Sequence, residues 1–382
     1  MFAQYVQHLK DLVHASVVGT IPQLDWFVGN IIDFLTSPLT GIRTRSYWPE
    51  LLAALIIAGL VFVLRDRRAG QGVRDFFRFC FPSAQWRHRS TWLDVQIIVL
   101  NNFFAHSFNL TWRLNAALFT SMLVGTLTWA FGPSPHLLAW STSTIVLYTI
   151  ILGLADDFGY YIFHVASHYI PWLWAFHKVH HSAETLTVLA NPRAHPMEFF
   201  FTGPCQALTT SLVLAPALYL GTGPVAPVNI LGMNLVALFF CVIGTQLHHS
   251  HIWLSWGRTL EHVFISPAQH QIHHSTARRH WNRNMGGCFA LWDWMFGTLY
   301  VPNGREELTF GLGSESQPYA NGLAAYVLPF WEIMPWREAI RAQALRLLNR
   351  PAAAAPAVHT MAAHTMAART MAARTMAARP PP

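Results

Sequence analysis

Charge is what this sequence has least of. Only 11% of its 382 residues are Asp, Glu, Lys or Arg, against 53% hydrophobic residues and a mean hydropathy of +0.29. That is too little charge to cover the surfaces of two or three soluble domains, so part of the chain is expected to face lipid. Cysteine is scarce as well. Cys80, Cys205, Cys241 and Cys288 lie far apart with no CxxC pair, which indicates neither a zinc ribbon nor a disulfide framework. The opening residues lack the basic segment, short apolar core and cleavage site of a secretory signal, and the N-terminal segment is expected to be retained. No nucleic-acid-reading motif is present. The net charge of +7 comes largely from arginine-rich loops and the tail, which suits anionic lipid headgroups better than nucleic acid.

Long apolar runs are there in place of charge. Residues 47–64, "YWPELLAALIIAGLVFVL", are about long enough to cross a ~30 Å hydrocarbon layer. The loop 65–90 carries seven arginines against two aspartates, and the positive-inside rule places it in the cytoplasm. Two further spans, 114–131 and 137–155, are joined by "GPSPH", a turn that makes a hairpin on the far side. The stretch 92–110 is apolar but broken by Asp94, Asn101, Asn102 and His106, and is read as lying at the interface or against the bundle. A second apolar hairpin, 199–247, is interrupted at "GTGPVAP". The expected architecture is all-α: a polytopic membrane helical bundle with a histidine-rich cap on its cytoplasmic face. Five regions follow: an interfacial segment 1–46; transmembrane helices and a basic loop, 47–155; a histidine-rich region with the second hairpin, 156–302; a polar, helical extension, 303–350; and a disordered tail, 351–382, built on a five-residue repeat.

Histidine is distributed unevenly. Fourteen of the 21 lie between His164 and His280. On a helix, positions i, i+3 and i+4 share a face, so "HVASH" presents His164 with His168, and "HKVHH" presents His177 with His180 and His181. "HQIHH" repeats the pattern at His270, His273 and His274, and His248, His249 and His251 form a fourth group. Adjacent histidines diverge by about 100° around a helix, so one can face a first metal ion while its neighbour faces a second. The duplicated pattern therefore predicts a dinuclear metal centre at helix ends. His262 and His280 read as ordinary interfacial histidines, and Trp172, Trp174, Trp292 and Trp294 as belt anchors.

In series, these stretches resemble the fatty acid hydroxylase and sterol desaturase superfamily of integral-membrane, non-haem, dinuclear enzymes. The resemblance runs from about residue 137 to 302. "DFGYYIFHVASH", "FHKVHHS", "NPRAHPME", "HHSHIWL" and "SPAQHQIHHS" look like the family's successive boxes, and "NMGGCFALWDWMFGTLY" carries its Asn-x-Gly and Trp-Asp-x-x-Phe-Gly-Thr pattern. Val165 stands where members often have Arg, and His251 where many have Asn.

By this resemblance the metal ligands are His164, His168, His177, His180, His181, His249, His270, His273 and His274, with His195, His248 and His251 as further candidates. Asp157, Glu198, Asn284 and Asp293 are expected to steady those ligands from behind, although the carboxylates are equally readable as solvated or arginine-paired. The implied cofactor is a pair of iron ions, because zinc, which imidazoles also bind and which can occupy the purified protein, has no redox chemistry. The implied reaction is dioxygen-dependent hydroxylation or desaturation of a sterol, fatty acyl or related membrane lipid. No cytochrome b5-like His-Pro-Gly-Gly stretch is present, so electrons are expected from a separate protein, a ferredoxin or a cytochrome b5 with its reductase. Two other classes use histidines in membranes. A metal transporter or metal-binding protein would place them on discontinuous helices within the membrane plane, and a di-haem cytochrome would need pairs on facing spans.

Overall fold

The computed structural model describes residues 48–66, 71–230, 233–316, 319–335 and 337. The expectations for 1–46 and the repeat tail lie outside the described residues. Eleven α-helices are described: α1 (Trp48–Val61), α2 (Val73–Cys80), α3 (Ser83–Trp86), α4 (Arg89–Phe131), α5 (Thr142–Tyr169), α6 (Pro171–His181), α7 (Pro196–Leu220), α8 (Leu235–Ile243), α9 (Pro267–His273), α10 (Leu291–Phe296) and α11 (Gly322–Ile333). One two-residue strand pair, Asn229–Ile230 with Met233–Asn234, is the only sheet among them.

Local sequence accounts for the helix starts. Pro171, Pro196 and Pro267 occupy first-turn positions of α6, α7 and α9, where a missing N–H costs nothing. Ser266 Oγ accepts from Gln269 N while Gln269 Oε1 accepts from Ser266 N, a reciprocal cap. His195 and Glu198 cap α7 in the same way, and this cap leads directly into the candidate site.

Helix α4 decides between the two readings of 92–110, placing Asp94 and Ile97 against the bundle. Residues 92–110 are not a separate interfacial piece; they are the first half of one 43-residue helix that continues through Leu114–Phe131. At 1.5 Å per residue it is about 64 Å long, twice the hydrocarbon thickness. In its first half one face is buried, with Asp94 and Ile97 at 0% exposure while Trp92 and Val99 are exposed, and Leu114, Leu118, Met122 and Trp129 along its second half are exposed. Leu114–Phe131 and α5 are the two described segments long and apolar enough to cross a membrane.

Helix α5 runs from the hairpin end towards the histidines, and α7 runs back. The turn 132–141 meets the end of α7 through Leu138 N to Leu220 O (2.8 Å), Thr222 N to Leu138 O (3.0 Å) and Tyr219 Oη to Gly132 O (2.9 Å). The second hairpin, interrupted at "GTGPVAP", has unequal arms. Its outward arm is the 25-residue α7, but the return is an extended segment and the nine-residue α8. Pro224 and Pro227, in the segment between them, cannot continue a helix. The region after residue 303 is also more than a polar extension. Helix α11 packs on α4 and α6, with Ala325 fully buried, Gly322 N donating to Gln96 Oε1 (2.9 Å) and Glu332 pairing with Lys178 (2.5 Å).

Helices α5 and α7 cross in close contact at Gly159, where a Cβ would stand 2.5 Å from Thr209 Oγ1 and 2.6 Å from Gln206 Cα. Gly159→Ala is expected to cost about 1–3 kcal/mol by forcing the helices apart. Gly125→Ala on α4, where a Cβ meets nothing within 4 Å, should leave stability unchanged or slightly raised. Thermal unfolding in detergent checks this, and equal melting of the two variants would contradict the close crossing.

Candidate metal centre

Nine histidines converge in two groups. His164, His168, His177, His181 and His273 form one, and His180, His249, His270 and His274 the other; within each, one ligand atom per residue lies within 4.8 Å of all the others. Helix periodicity divides the boxes between them. On α6, His177 and His181, one turn apart, face the first group while His180 faces the second. At α9 the roles reverse: His270 and His274 serve the second group and His273 the first. Helix α5 completes the first group with His164 and His168, and the short turn after α8 supplies His249 to the second. His168 is the one partly exposed member, with Trp174 at 5.2 Å between ring centroids.

The ring orientations are set from outside. His164 Nδ1 donates to Met285 O (2.6 Å), His180 Nδ1 to Arg193 O (2.7 Å), His273 Nδ1 to Arg283 O (2.9 Å) and His177 Nδ1 to Glu198 Oε2 (2.6 Å). A ring that gives its Nδ1 proton outward keeps a bare Nε2 lone pair facing inward. Burial holds His177, His181, His270 and His274 well below the ordinary histidine pKa, and holds His273 at about 4. These imidazoles are therefore neutral at physiological pH, as metal ligands must be.

The inward nitrogens crowd one another. Nε2 pairs stand at 3.1 Å for His164 and His177, 3.2 Å for His177 and His181, 3.0 Å for His249 and His274 and 3.1 Å for His249 and His270. Where both partners of such a pair carry lone pairs, as His164 and His177 do, no proton is available for a hydrogen bond. The Nε2 atoms of His168 and His273 are buried with no hydrogen-bond partner. A cation resolves this. Two imidazole nitrogens at right angles about a metal, each ~2.1 Å from it, are about 3.0 Å apart. The donor set thus fits two metal ions with nitrogen ligands.

The remaining sequence candidates fall elsewhere. His195 donates from Nε2 to Tyr326 O (3.0 Å), His248 from Nε2 to Ile265 O (3.2 Å), and His251 from Nε2 to Phe79 O (2.7 Å); none belongs to either group. His280, read as interfacial, is fully buried and meets Glu306 at 3.2 Å, while His262 donates to Arg258 O. Of the three carboxylates, Glu198 alone takes an imidazole proton. Asp293 accepts from Met285 N (2.7 Å), Gly286 N (2.8 Å) and Thr298 Oγ1 (2.5 Å), and Asp157 from Cys288 N, Phe289 N and Trp292 Nε1. Both pin the loop whose Met285 carbonyl orients His164. Asn284 joins the same loop to α9, giving Nδ2 to Gln269 O and taking Tyr300 N, from a left-handed φ of +55° that Asn tolerates. A Cβ on Gly287 would lie 2.8 Å from Tyr160, so the loop closes on α5 only with glycine there.

Sequence reasoning missed the carbonyls of Met285, Arg193 and Arg283, which carry no side-chain signal, and it missed Asp94. In the structure Asp94 pairs with the buried Arg193 at 3.0 Å, and Asn101 Nδ2 donates to Ala194 O (3.0 Å). Burial pushes the Asp94 carboxyl up to about 7 against the pull of Arg193. These contacts lock the segment whose carbonyl aims His180.

Residues 149–298 match the family model for fatty acid hydroxylases. Alkylglycerol monooxygenase of Homo sapiens is 29% identical over 165 residues, 43% of this chain and 32% of that protein. Ornithine lipid hydroxylase OlsE of Rhizobium tropici is 30% identical over 171 residues (44% and 47%), and cholesterol 25-hydroxylase of Homo sapiens 28% over 173 (44% and 57%). The matches thus span from about a third to somewhat over half the length of these relatives. No solved structure matches the chain.

The division of ligands generates a stoichiometric prediction. His168→Ala and His270→Ala, one from each group, should each lower bound metal from two ions per chain towards one, while His262→Ala keeps both. Glu198→Ala, which leaves His177 unoriented, should weaken metal retention about 10–100-fold. Elemental analysis of purified variants reads this directly, and two ions retained in both ligand variants would rule out the two-group assignment.

Proposed function

Because the fatty acid hydroxylase domain at residues 149–298 makes this chain a member of the fatty acid hydroxylase/sterol desaturase superfamily, we propose that it is a membrane-bound, dioxygen-dependent lipid hydroxylase working with two iron ions. The two converging histidine groups carry this reading. The relatives are named for hydroxylation or monooxygenation, which favours oxygen insertion over desaturation.

In this reading His164, His168, His177, His181 and His273 hold one ion, and His180, His249, His270 and His274 the other. Bound iron supplies the redox capacity to use dioxygen against an unactivated C–H bond, which imidazole and carboxylate lack. The protein's part is orientation and exclusion of water. Outward Nδ1 bonds keep the inward lone pairs of His164, His177, His180 and His273 aimed, and Asp157 and Asp293 hold the 284–289 loop closed over α5. A lipid chain enters past His168 and Trp174, the one partly exposed corner of the centre, from the apolar flank of α5. Leu114–Phe131 and α5 cross the membrane, and the arginine-rich segment after α1 keeps the histidine cap on the cytoplasmic side. Electrons reach it from a separate ferredoxin-like or cytochrome b5-like donor.

A metal transporter is the competing class. It needs ligands that release the ion along a path, whereas eight of these nine side chains are buried and several are locked by carbonyls and Glu198. Lipid mass spectrometry of cells expressing the wild type or the His168→Ala/His270→Ala variant decides. One lipid class should gain the mass of one oxygen in the wild type alone, with turnover at least 100-fold lower in the variant. Metal-loaded protein that alters no lipid but changes cellular metal content would replace the enzyme by the transporter.

A further inference from the structure

A second concave site lies apart from both histidine groups. It is a cavity of about 870 Å³ whose wall includes Arg65, Phe79, His251, Trp253, Trp256 and Arg305. Among the described residues no carboxylate lines it, and neither Arg65 nor Arg305 has an ion-pair or hydrogen-bond partner. Two guanidiniums at one mouth repel each other and focus a positive potential into the cavity, a cost that a bound anion removes. Arg65 belongs to the π-helical turn Phe62–Asp66 that ends the apolar α1. Leu60, Val63 and Leu64, immediately before it, are 55%, 54% and 78% exposed and offer an apolar track away from the charge. Trp253 and Trp256 are aromatic side chains of the kind that settle at headgroup depth.

We propose that this cavity binds the phosphate-bearing headgroup of an anionic membrane lipid, held between Arg65 and Arg305, with its acyl chains lying on the exposed face at the end of α1. The volume exceeds what a phosphate alone needs and accommodates the glycerol backbone as well. The back wall ties this lipid to the centre without making it the substrate. Ile252 O accepts from Gln271 Nε2 (2.9 Å) and Leu254 O from Ala268 N (3.0 Å), so the cavity wall is fastened to α9, which carries His270. The bound lipid therefore braces the strip that runs from His249 to the cavity. This inference uses the membrane placement proposed above but not the chemistry of the centre.

Native mass spectrometry of the full chain, with phosphatidylglycerol and phosphatidylcholine offered in equal amounts, tests it without any activity readout. The wild type should retain one phosphatidylglycerol in preference to phosphatidylcholine. Arg65→Gln/Arg305→Gln should lose that preference at least tenfold with metal content unchanged. Arg65→Lys/Arg305→Lys, which keeps both charges, should retain part of it, and Arg87→Gln, an exposed arginine elsewhere, all of it. Equal retention of the two lipids by the wild type overturns the proposal even if the glutamine pair fails to fold. Inorganic phosphate that displaces the lipid at low millimolar concentration and protects the wild type from thermal unfolding as well as the lipid does also overturns it, by making free phosphate the occupant.

Discussion

Nine imidazoles brought together out of water cannot all satisfy both of their nitrogens with one another. Each neutral ring has one proton and one lone pair, and the rings that send the proton outward leave lone pairs facing at about 3 Å in the middle. The rest of the structure answers that constraint. Carbonyls of Met285, Arg193 and Arg283 and the carboxylate of Glu198 take protons on the outside, and the inside is left to cations. Without a cation between them, such lone pairs face one another in a buried interior, which is costly.

The outer acceptors are themselves held, and by parts of the chain far away in sequence. Met285 sits in a loop clasped by Asp293 on α10 and Asp157 on α5. Arg193 lies in a segment fastened to the first half of α4 by Asp94, Ser90 and Asn101. Glu198 is fixed by its reciprocal cap with His195, and the His195 ring is in turn enclosed by Phe176, Tyr326 and Phe330, the last two from α11. Long helices thus extend beyond their apolar stretches because their ends form the frame of the cap.

The polar residues of 92–110 illustrate how one signal carries two meanings. Asp94 and Asn101 interrupt an apolar run, which in sequence counts against a membrane crossing and says nothing more. Folded, they are grips on the segment 192–194, and the helix that carries them passes without a break into Leu114–Phe131. The two halves form one helix because no proline or glycine stands between them to end it. The nine-residue α8 shows the reverse case: the interruption at "GTGPVAP" was legible in the sequence, and Pro224 and Pro227 there leave the start of the return arm extended.

What the sequence determined by itself was the core of the converging histidines and their division into two groups. The HxxHH spacing on a helix of 3.6 residues per turn sends positions i and i+4 one way and i+3 another, so His180 parting from His181, and His273 from His274, follows from local geometry alone. Only the tertiary structure decided which outlying histidines join. His249 enters the second group while His248 and His251 turn to the carbonyls of Ile265 and Phe79. It decided likewise that Asp157 and Asp293 hold a loop while Glu198 holds a ring. Adjacent residues of like chemistry differ there only in what stands opposite them, and what stands opposite comes from chain tens to hundreds of residues away, beyond the reach of any local pattern.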